Sequence, residues 1–335
     1  MRVAAAFALA FSASLLVLGP ASAQRATTGS APPLVAPAPA LAPGSGAAPT
    51  ISSIANAPGA SGLAPARAPA PKAAAKCDNP NALGVSRTVE IDTTGGPGFG
   101  FEHFRQLDFL RDHEVVLTFD DGPWVTTPAV LKALADQCVK ATFFSIGKHA
   151  TYYPEILRQV AAAGHTVGSH TWSHKDLSTF KNIDEAKAEI EKAISAVKWA
   201  LEDAGPEAPF FRFPALRHPP ELVTYLGTRN IAIFSTDMDS FDFKLRKPEQ
   251  VIKSVMTKLQ KHGKGIVLMH DFQKATSEAL PELLAQLKAG GYKIVHMKPA
   301  TAVQSLPQYD EELMKEAKLP TVSQRPVSSV VKTVE

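Results

Sequence analysis

The chain has 335 residues, of which 35 are basic and 32 acidic, and a formal net charge of +3. Five of the basic residues and no acidic one lie within residues 1–76, so the remainder carries 30 basic against 32 acidic residues. A remainder this close to neutral has no concentrated basic face for phosphates, which argues against nucleic-acid binding. Residues 1–76 are too biased in composition to share a packed core with the rest, so we expect one globular domain.

Residues 1–23 have the pattern of a secretory signal peptide. Arg2 precedes an apolar run over residues 3–18, and Ala21, Ser22 and Ala23 form a small-x-small cleavage pattern. An uncleaved membrane anchor is the alternative, because the apolar run is only slightly too short to span a bilayer. We expect cleavage, export to the periplasm or the exterior, and a mature chain with no transmembrane segment.

Two further segments flank the expected domain. Residues 24–76 are mostly alanine, proline, glycine and serine without a hydrophobic period, which predicts a flexible, partly polyproline linker. Residues 306–335 are polar and interrupted by proline, and only 310–318 has a helical pattern. This second segment is therefore predicted to be a loosely attached tail.

The chain has two cysteines, Cys77 and Cys138. In an oxidising compartment they can pair as a disulfide, and the alternative is two separately buried thiols. Cys77 opens a segment, residues 77–112, that we treat as an N-terminal extension of the domain. The sequence assigns no role to this extension.

Between residues 113 and 305, short apolar runs alternate with longer amphipathic segments. The apolar runs predict buried strands at 115–119, 141–146, 165–168, 210–213, 231–235, 266–269 and 293–295. The amphipathic segments predict helices at 128–136, 154–163, 183–204, 221–229, 248–262 and 280–289. This alternation indicates a parallel sheet covered by helices, either a (β/α) barrel or a doubly wound open sheet. In both folds, functional side chains lie just beyond the carboxyl ends of the strands.

Groups that can bind a metal follow two of these strands. Asp120 and Asp121 come directly after 115–119, and adjacent carboxylates repel each other unless a cation or a proton lies between them. His170 and His174 have the i, i+4 spacing that places two imidazoles on one face of a helical turn, close enough to bind one ion. Either aspartate can complete a site of two histidines and one carboxylate. Such a set leaves positions for water and substrate, as catalytic metals require.

Three more predicted strands carry polar side chains at or near their ends. His270 follows 266–269, and Arg212 lies inside 210–213, where burial without an acidic partner is costly. The strand 231–235 is followed by three carboxylates, those of Asp237, Asp239 and Asp242. Each group alone is compatible with an ordinary polar strand end. Together with the two groups above, they predict a single site.

In this order, the motifs TFDDGP, KATFF, HTWSH, RFP, DMDSFDF and LMH resemble the polysaccharide deacetylase family, also called the NodB homology domain or carbohydrate esterase family 4. The resemblance covers residues 114–299, and we place the domain at 113–305. It implies a distorted, incomplete (β/α) barrel of parallel strands with outer helices. It also implies hydrolysis of N-acetyl or O-acetyl groups on polysaccharides with a divalent metal, commonly zinc, with cobalt or manganese as the other candidates.

The resemblance also implies roles for individual residues. Asp121, His170 and His174 are expected to bind the metal. Asp120 is expected to be the general base and His270 the general acid.

The supporting residues follow from the same resemblance. Arg212 is expected to orient Asp120, and Asp239 to orient His270. The backbone N–H of Ala215 is expected to stabilise the oxyanion, and Leu268 and Phe243 to form walls of the pocket for the acetyl methyl group. The chain departs from the family in having Phe243 in place of the usual tryptophan, and Ala215 and Leu216 in place of an aromatic residue and glycine, which removes a surface for sugar stacking.

The expected activity is removal of N-acetyl groups from glycans that contain N-acetylglucosamine, either chitooligosaccharide or peptidoglycan, with release of acetate. One alternative is an O-acetyl esterase that acts on xylan or an exopolysaccharide. Another is a non-catalytic glycan-binding protein of the same fold. Phosphate binding is disfavoured because the glycine-rich run at 95–100 lacks the lysine and serine or threonine of a P-loop. The sequence predicts no particular oligomeric state.

Overall fold

The structure is a computed structural model that describes residue 77 and residues 79–316. The predicted signal peptide, the linker and residues 317–335 lie outside the described residues. Within the described part of the chain, no helix combines the length and the apolar character that crossing a membrane requires.

The strands of the described residues form one sheet in which every ladder is parallel. They are β1 (Val85–Ile91), β2 (Gly98–Phe99), β3 (Glu114–Asp120), β4 (Thr142–Ser145), β5 (Thr166–Ser169), β6 (Phe210–Phe211), β7 (Ala232–Phe234), β8 (Met238–Asp239), β9 (Gly265–His270) and β10 (Lys293–Pro299). All seven predicted strands are present. The others are β1, β2 and β8.

The helices are α1 (Thr127–Asp136), α2 (Gly147–Tyr152), α3 (Pro154–Ala162), α4 (Ile183–Leu201), α5 (Pro220–Thr228), α6 (Pro248–His262), α7 (Lys274–Ala289) and α8 (Pro307–Glu316). All six helices predicted within 113–305 are present. The largest difference is at α7, which begins at Lys274 rather than at 280. Pro281 lies inside this helix, which continues through it.

Strand β3 lies at the centre of the sheet, and all of its residues are buried. Val115 pairs with both β9 and β10, and Thr118 pairs with both β4 and β9. One edge of β3 therefore pairs with β9, and the other edge pairs first with β10 and then with β4. The sheet continues through β5, β6 and β7 to β2 on one side and to β8 on the other. No ladder among the described residues joins β8 to β2, so the barrel is incomplete, as the resemblance implies.

The N-terminal extension belongs to this sheet. Strand β1 pairs with β10, and β2 pairs with β7. Along β1, half-buried and exposed residues alternate, so it lacks the continuous apolar run that marks the central strands. Two strands of the fold therefore come from residues that the sequence left without a role.

The predicted loose attachment of the C-terminal segment is wrong for residues 307–316. Helix α8 packs against α4, where Leu313 is buried next to Ala196. A peripheral ion pair joins Lys198 to Asp310, with 3.7 Å between Nζ and Oδ2. One buried apolar side chain, Leu313, in a mostly polar helix was too weak a signal to predict this packing.

Cys77 and Cys138 are joined by a disulfide, so the paired alternative is confirmed. The bond closes a loop with a sequence separation of 61 and ties the start of the extension to the turn after α1. Replacing both cysteines with alanine is expected to lower the free energy of unfolding by about 4 kcal/mol, because the unfolded chain regains the loop entropy. Urea denaturation of the variant and of the reduced parent measures the loss. Two alkylatable thiols in the unreduced protein, isolated from an oxidising compartment, would contradict the bond.

Candidate active site

The chemistry-bearing residues meet at the carboxyl ends of the parallel strands. Asp120 ends β3 and is paired in register with His270, which ends β9. His170 directly follows β5, and Arg212 directly follows β6. This convergence is what the strand-end motifs predicted, because parallel strands end at the same side of a barrel.

Asp121, His170 and His174 form a compact group of metal-binding side chains. Oδ1 of Asp121 lies 3.5 Å from Nε2 of His170 and 3.2 Å from Nε2 of His174. The ligand atoms all lie within 4.8 Å of one another. Among the described residues, no other group of three or more histidine, cysteine or acidic side chains has this geometry.

The loop that carries the two histidines differs from the expected helical turn. Residues 170–174 are not helical, and Thr171 and His174 have positive φ angles of 64° and 58°. The side chain of Glu189, on α4, accepts hydrogen bonds from the backbone N–H and the hydroxyl of Ser173 at 2.8 to 2.9 Å. The i, i+4 spacing thus brings the imidazoles together through a loop held by Glu189, which the sequence did not single out.

The donor set fits a divalent ion. Oδ1 of Asp121 is buried and has no hydrogen-bond partner among the described residues, as expected of an atom reserved for a ligand. His170 Nδ1 lies 2.7 Å from the carbonyl oxygen of Arg212, so Nδ1 carries the proton and Nε2 keeps its lone pair for an ion. One carboxylate and two imidazoles suit zinc and leave coordination positions open.

Glycine is needed at Gly122, because a side chain there would collide with the buried carboxylate of Asp271.

Asp120 and Arg212 form a buried ion pair beside this group. Nη1 of Arg212 donates to Oδ1 of Asp120 at 2.8 Å, and the guanidinium also donates to Thr118 Oγ1 and to the carbonyl oxygens of Phe234 and Ser235. These bonds satisfy an arginine with no exposed surface. Burial raises the pKa of Asp120 to about 6, although the positive charge of Arg212 opposes the shift. The paired carboxylate is thus fixed in orientation and suited to accept a proton near neutral pH.

His270 is held by Asp242. Their Nδ1 and Oδ1 atoms are 2.6 Å apart, and the other carboxylate oxygen of Asp242 accepts from the His270 backbone N–H and the Thr276 hydroxyl. Burial alone would lower the pKa of His270, but the hydrogen bond and charge of Asp242, with the charges of Asp121 and Asp120, raise it to about 9. His270 therefore holds a proton at neutral pH.

The expectation that Asp239 orients His270 does not match this geometry. Oδ1 of Asp239 accepts from the Phe241 backbone N–H at 2.8 Å, and no hydrogen bond joins Asp239 to His270 among the described residues. Asp237 accepts from the backbone N–H groups of Phe101 and Ile266 and is also occupied elsewhere. Phe241 has a positive φ of 55°, and the short 3₁₀ turn after it brings Asp242 back to His270. Of the three carboxylates that follow strand β7, this turn places only that of Asp242 against the His270 imidazole.

Asparagine variants distinguish the two aspartates. Asp242→Asn is expected to lower kcat about 100-fold, because the amide offers one acceptor oxygen for the two N–H groups of His270 and no charge to keep the imidazole protonated. Loss of the Asp242 charge also lowers the pKa of His270, so the alkaline limb of the kcat profile moves to lower pH. Asp239→Asn is the matched control and should change kcat less than about threefold, because the asparagine oxygen can still accept from the Phe241 backbone N–H and Asp239 makes no hydrogen bond to His270 among the described residues. Equal effects of the two variants on kcat and on the pH profile would contradict the assignment.

The predicted pocket walls differ in exposure. Leu268 is buried within β9, whereas Phe243 is 46% exposed, with its ring centroid 5.6 Å from that of His270. Ala215 lies in an exposed 3₁₀ turn with a positive φ of 54°. Phe272, which the sequence did not single out, lies on another side of His270 at a centroid distance of 6.0 Å. The imidazole is thus flanked by two phenylalanine rings.

A cleft of about 340 Å³ opens beside the candidate metal site, lined by Asp121, Ile146, Lys148, His149, Tyr152, Ser173, His174 and Phe272. Helix α2, which lines this cleft, is hydrogen-bonded to both segments that carry the candidate metal ligands. The backbone N–H groups of Gly147 and Lys148 donate to carbonyl oxygens of the 170–174 loop at 3.0 and 2.9 Å. Nδ1 of His149 lies 2.5 Å from the Asp121 carbonyl oxygen. The sequence did not predict α2, which is only six residues long.

Together, a parallel barrel-like sheet and an Asp/His/His group at its carboxyl edge define the class to which the chain belongs. A family model described as "Polysaccharide deacetylase" matches residues 110–231. A chitooligosaccharide deacetylase from Sinorhizobium fredii is 31% identical over 214 residues, which cover 57% of this chain and 96% of that protein. The chain belongs to the polysaccharide deacetylase family.

Two peptidoglycan deacetylases are also similar. A peptidoglycan-N-acetylglucosamine deacetylase from Listeria monocytogenes is 34% identical over 188 residues, 54% of this chain, and the match spans only 37% of that relative. The solved structure of a Bdellovibrio bacteriovorus peptidoglycan deacetylase has a TM-score of 0.59 and 33% identity, covering 68% of this chain and 63% of that one. The chain thus spans only part of the length of these relatives.

Proposed function

We propose that the chain is a metal-dependent carbohydrate deacetylase that removes N-acetyl groups from glycans containing N-acetylglucosamine and releases acetate. The observation that carries the proposal is the juxtaposition of three elements at one barrel edge. These are a candidate metal group with an unpartnered carboxylate oxygen, a carboxylate oriented by a buried arginine, and a histidine protonated beside its own aspartate. A hydrolase that expels an amine needs a base, an acid and an electrophile in such an arrangement.

Asp121, His170 and His174 would hold a divalent ion, for which we propose zinc, with cobalt or manganese as the alternatives. When bound, such an ion acts as a Lewis acid that lowers the pKa of a water molecule and polarises a carbonyl oxygen. Asp120 accepts the proton of the attacking water on its carboxylate, and Arg212 keeps that carboxylate in place.

His270 supplies the proton that the leaving amine requires. Its Nδ1 is engaged by Asp242, whereas Nε2 makes no hydrogen bond among the described residues and lies 3.9 Å from Oδ2 of Asp121. An amide nitrogen is a poor leaving group unless it is protonated, so this step matters more for N-acetyl than for O-acetyl substrates. The Ala215 backbone N–H is proposed as an oxyanion donor, and Leu268 and Phe243 as the surroundings of the acetyl methyl group.

A panel of acetylated chitooligosaccharides, peptidoglycan and acetylxylan, scored by released acetate, tests the proposal. The relatives include a peptidoglycan deacetylase and a chitooligosaccharide deacetylase, so both glycans are candidate substrates. Because Ala215 replaces the aromatic residue usual in the family, the panel has to decide between them. Acetate from acetylxylan alone would instead support the O-acetyl esterase. Binding of a glycan without acetate release, by protein with verified metal content, would support the non-catalytic alternative.

We also propose that the protein works outside the cytoplasm, secreted or in the periplasm. The signal-peptide pattern of residues 1–23 supports this location, and the Cys77–Cys138 disulfide is typical of oxidising compartments. Detection of the protein in the extracellular or periplasmic fraction, with cleavage after residue 23, tests it.

A further inference from the structure

The charges at the site suggest which acetylated glycans it accepts, provided that the proposed function holds. Asp120 is paired with Arg212, and Asp242 is paired with His270. Asp121 is the acidic residue that lines the cleft, and its unpartnered oxygen is reserved for an ion, whereas Asp271 is fully buried against Gly122 and does not line the cleft. Besides this ligand carboxylate, the lining residues include one ammonium group, that of Lys148.

Lys148 supplies such a charge on one side of the site. It lines the cleft together with Asp121 and His174, and its Nζ lies 5.9 Å from the centroid of the Trp172 ring, within the histidine loop. Its backbone is fixed to that loop by the hydrogen bond to the Trp172 carbonyl oxygen. No carboxylate of the described residues lies within 4 Å of its ammonium group.

Lys244 supplies a second unpaired charge beside Phe243, whose ring lies against that of His270. Its Nζ lies 4.9 Å from the ring centroid of Phe241 and 5.1 Å from that of Phe243, and it too has no ion-pair partner among the described residues. Phe243 contacts His270, whose other neighbour Phe272 lines the cleft that holds Lys148. Lys148 therefore lies in the cleft on the Phe272 side of His270, and Lys244 lies on its Phe243 side.

The surface around the two lysines is suited to sugars. Tyr152 is 60% exposed and Phe243 46%, so aromatic surface remains available although Ala215 offers none. Phe241 is 42% exposed, and the ammonium groups of Lys244 and Lys258 lie 4.9 and 4.3 Å from its ring centroid. Ligand sites commonly combine aromatic walls with a few charged groups that fix orientation. Here the charged groups left for a ligand are ammonium groups, which attract anions and raise the rate of encounter with them.

We propose that the site prefers N-acetylated glycans whose sugars next to the reacting one carry carboxylates, and that Lys148 and Lys244 bind those carboxylates. A neutral glycan such as a chitooligosaccharide is then a substrate that lacks both contacts. Peptidoglycan glycan strands freed of their stem peptides, with a free lactyl carboxylate on every second sugar, have the required chemistry. Where a stem peptide is attached, that carboxyl group is an amide and carries no charge.

The test compares one glycan in two charge states. Peptidoglycan strands freed of stem peptides are used as they are or after conversion of their carboxylates to amides, and kcat/KM for acetate release is measured at low ionic strength. The parent protein should prefer the carboxylated strands by about 3- to 10-fold, since exposed ion pairs contribute modestly. Lys148→Met and Lys244→Met should each reduce this ratio, and the double variant should bring it close to one. Raising the salt concentration should also reduce it.

Two further variants separate charge at the site from other effects. Lys148→Arg with Lys244→Arg keeps both charges and should retain the preference. Lys293→Met removes one charge at the start of β10, at the opposite end of the barrel, and should leave the ratio unchanged. A ratio near one in the parent, an unchanged ratio in the double methionine variant, or an equal loss in Lys293→Met would overturn the inference.

Failure of the proposed function is distinguishable from failure of this inference. If the metal-loaded parent releases acetate from neither form of the strands, the deacetylase proposal fails, and calorimetric Kd values for the two forms decide the inference. If the parent binds the carboxylated strands more tightly and the double methionine variant binds both forms equally, the charge preference holds for a glycan-binding protein. Equal Kd values overturn it.

Discussion

Asp120→Asn is expected to lower kcat by a factor of about 10² to 10⁴ while leaving the metal content unchanged. The asparagine oxygen can still accept the hydrogen bond from Arg212, so the side chain keeps its place, but the amide cannot take the proton of the attacking water. Arg212 is then buried without its anion, which costs stability. Thermal unfolding of the variant must therefore accompany the kinetics, so that a folded but inactive protein is distinguished from an unfolded one.

Asp121→Asn is the matched comparison, one residue away. Its Oδ1 lies within 3.5 Å of both histidine ligand atoms, so replacing the carboxylate should weaken metal binding by more than about 100-fold, beyond the effect typical of groups that only support ligands. Excess metal should recover part of the rate, because the base remains. Metal analysis beside kcat separates the two aspartates. Metal loss in Asp120→Asn with retention in Asp121→Asn would reverse their roles.

His270→Ala has the second large expected effect, and that effect depends on the leaving group. Release of acetate from an N-acetylated oligosaccharide should fall by about 10² to 10⁴, because no proton reaches the departing nitrogen. An acetyl ester of a good leaving group, such as a nitrophenol, should lose roughly tenfold or less, since that group departs unprotonated. Metal content should stay unchanged, because His270 is not among the three ligands.

The comparison of the two substrates is the informative quantity. Equal loss on amide and activated ester would mean that His270 acts before the leaving group departs, for example in placing the substrate. A control is Thr276→Val, which removes one of the hydrogen bonds to Asp242 and keeps the others. It should lower the amide rate far less than His270→Ala does.

The alternation of apolar and amphipathic segments predicted the central strands because these are buried on both faces. Every residue of β3 is buried, and its continuous apolar run is what the pattern detects. The same reasoning missed β1, which alternates in burial and includes Arg87 and Glu90, and β8, which has only two residues. These strands form because a neighbouring strand of the sheet has backbone groups free to pair with them, and their own residues do not reveal that neighbour.

The site was predictable where a short motif supplies all of its atoms, and less so where distant segments meet. Strand ends and spacing predicted His170, His174 and the pair Asp120–Asp121, and the family resemblance selected Asp121 as the ligand. The loop between the histidines has two positive φ angles in place of a helical turn. Asp242 could not be chosen over Asp239 from local sequence, because the choice rests on the conformation of Phe241. Lys148 approaches the histidine loop through backbone hydrogen bonds that no side-chain pattern records.

Metal removal and replacement tests the central claim most directly. The protein is stripped with a strong chelator, its metal content is verified, and acetate release from an N-acetylated glycan is followed while zinc or cobalt is added back. The Asp121, His170 and His174 group predicts no acetate from the stripped protein and full restoration at about one equivalent of ion, with Asp121→Asn needing a large excess. Full activity in verified metal-free protein would contradict the account.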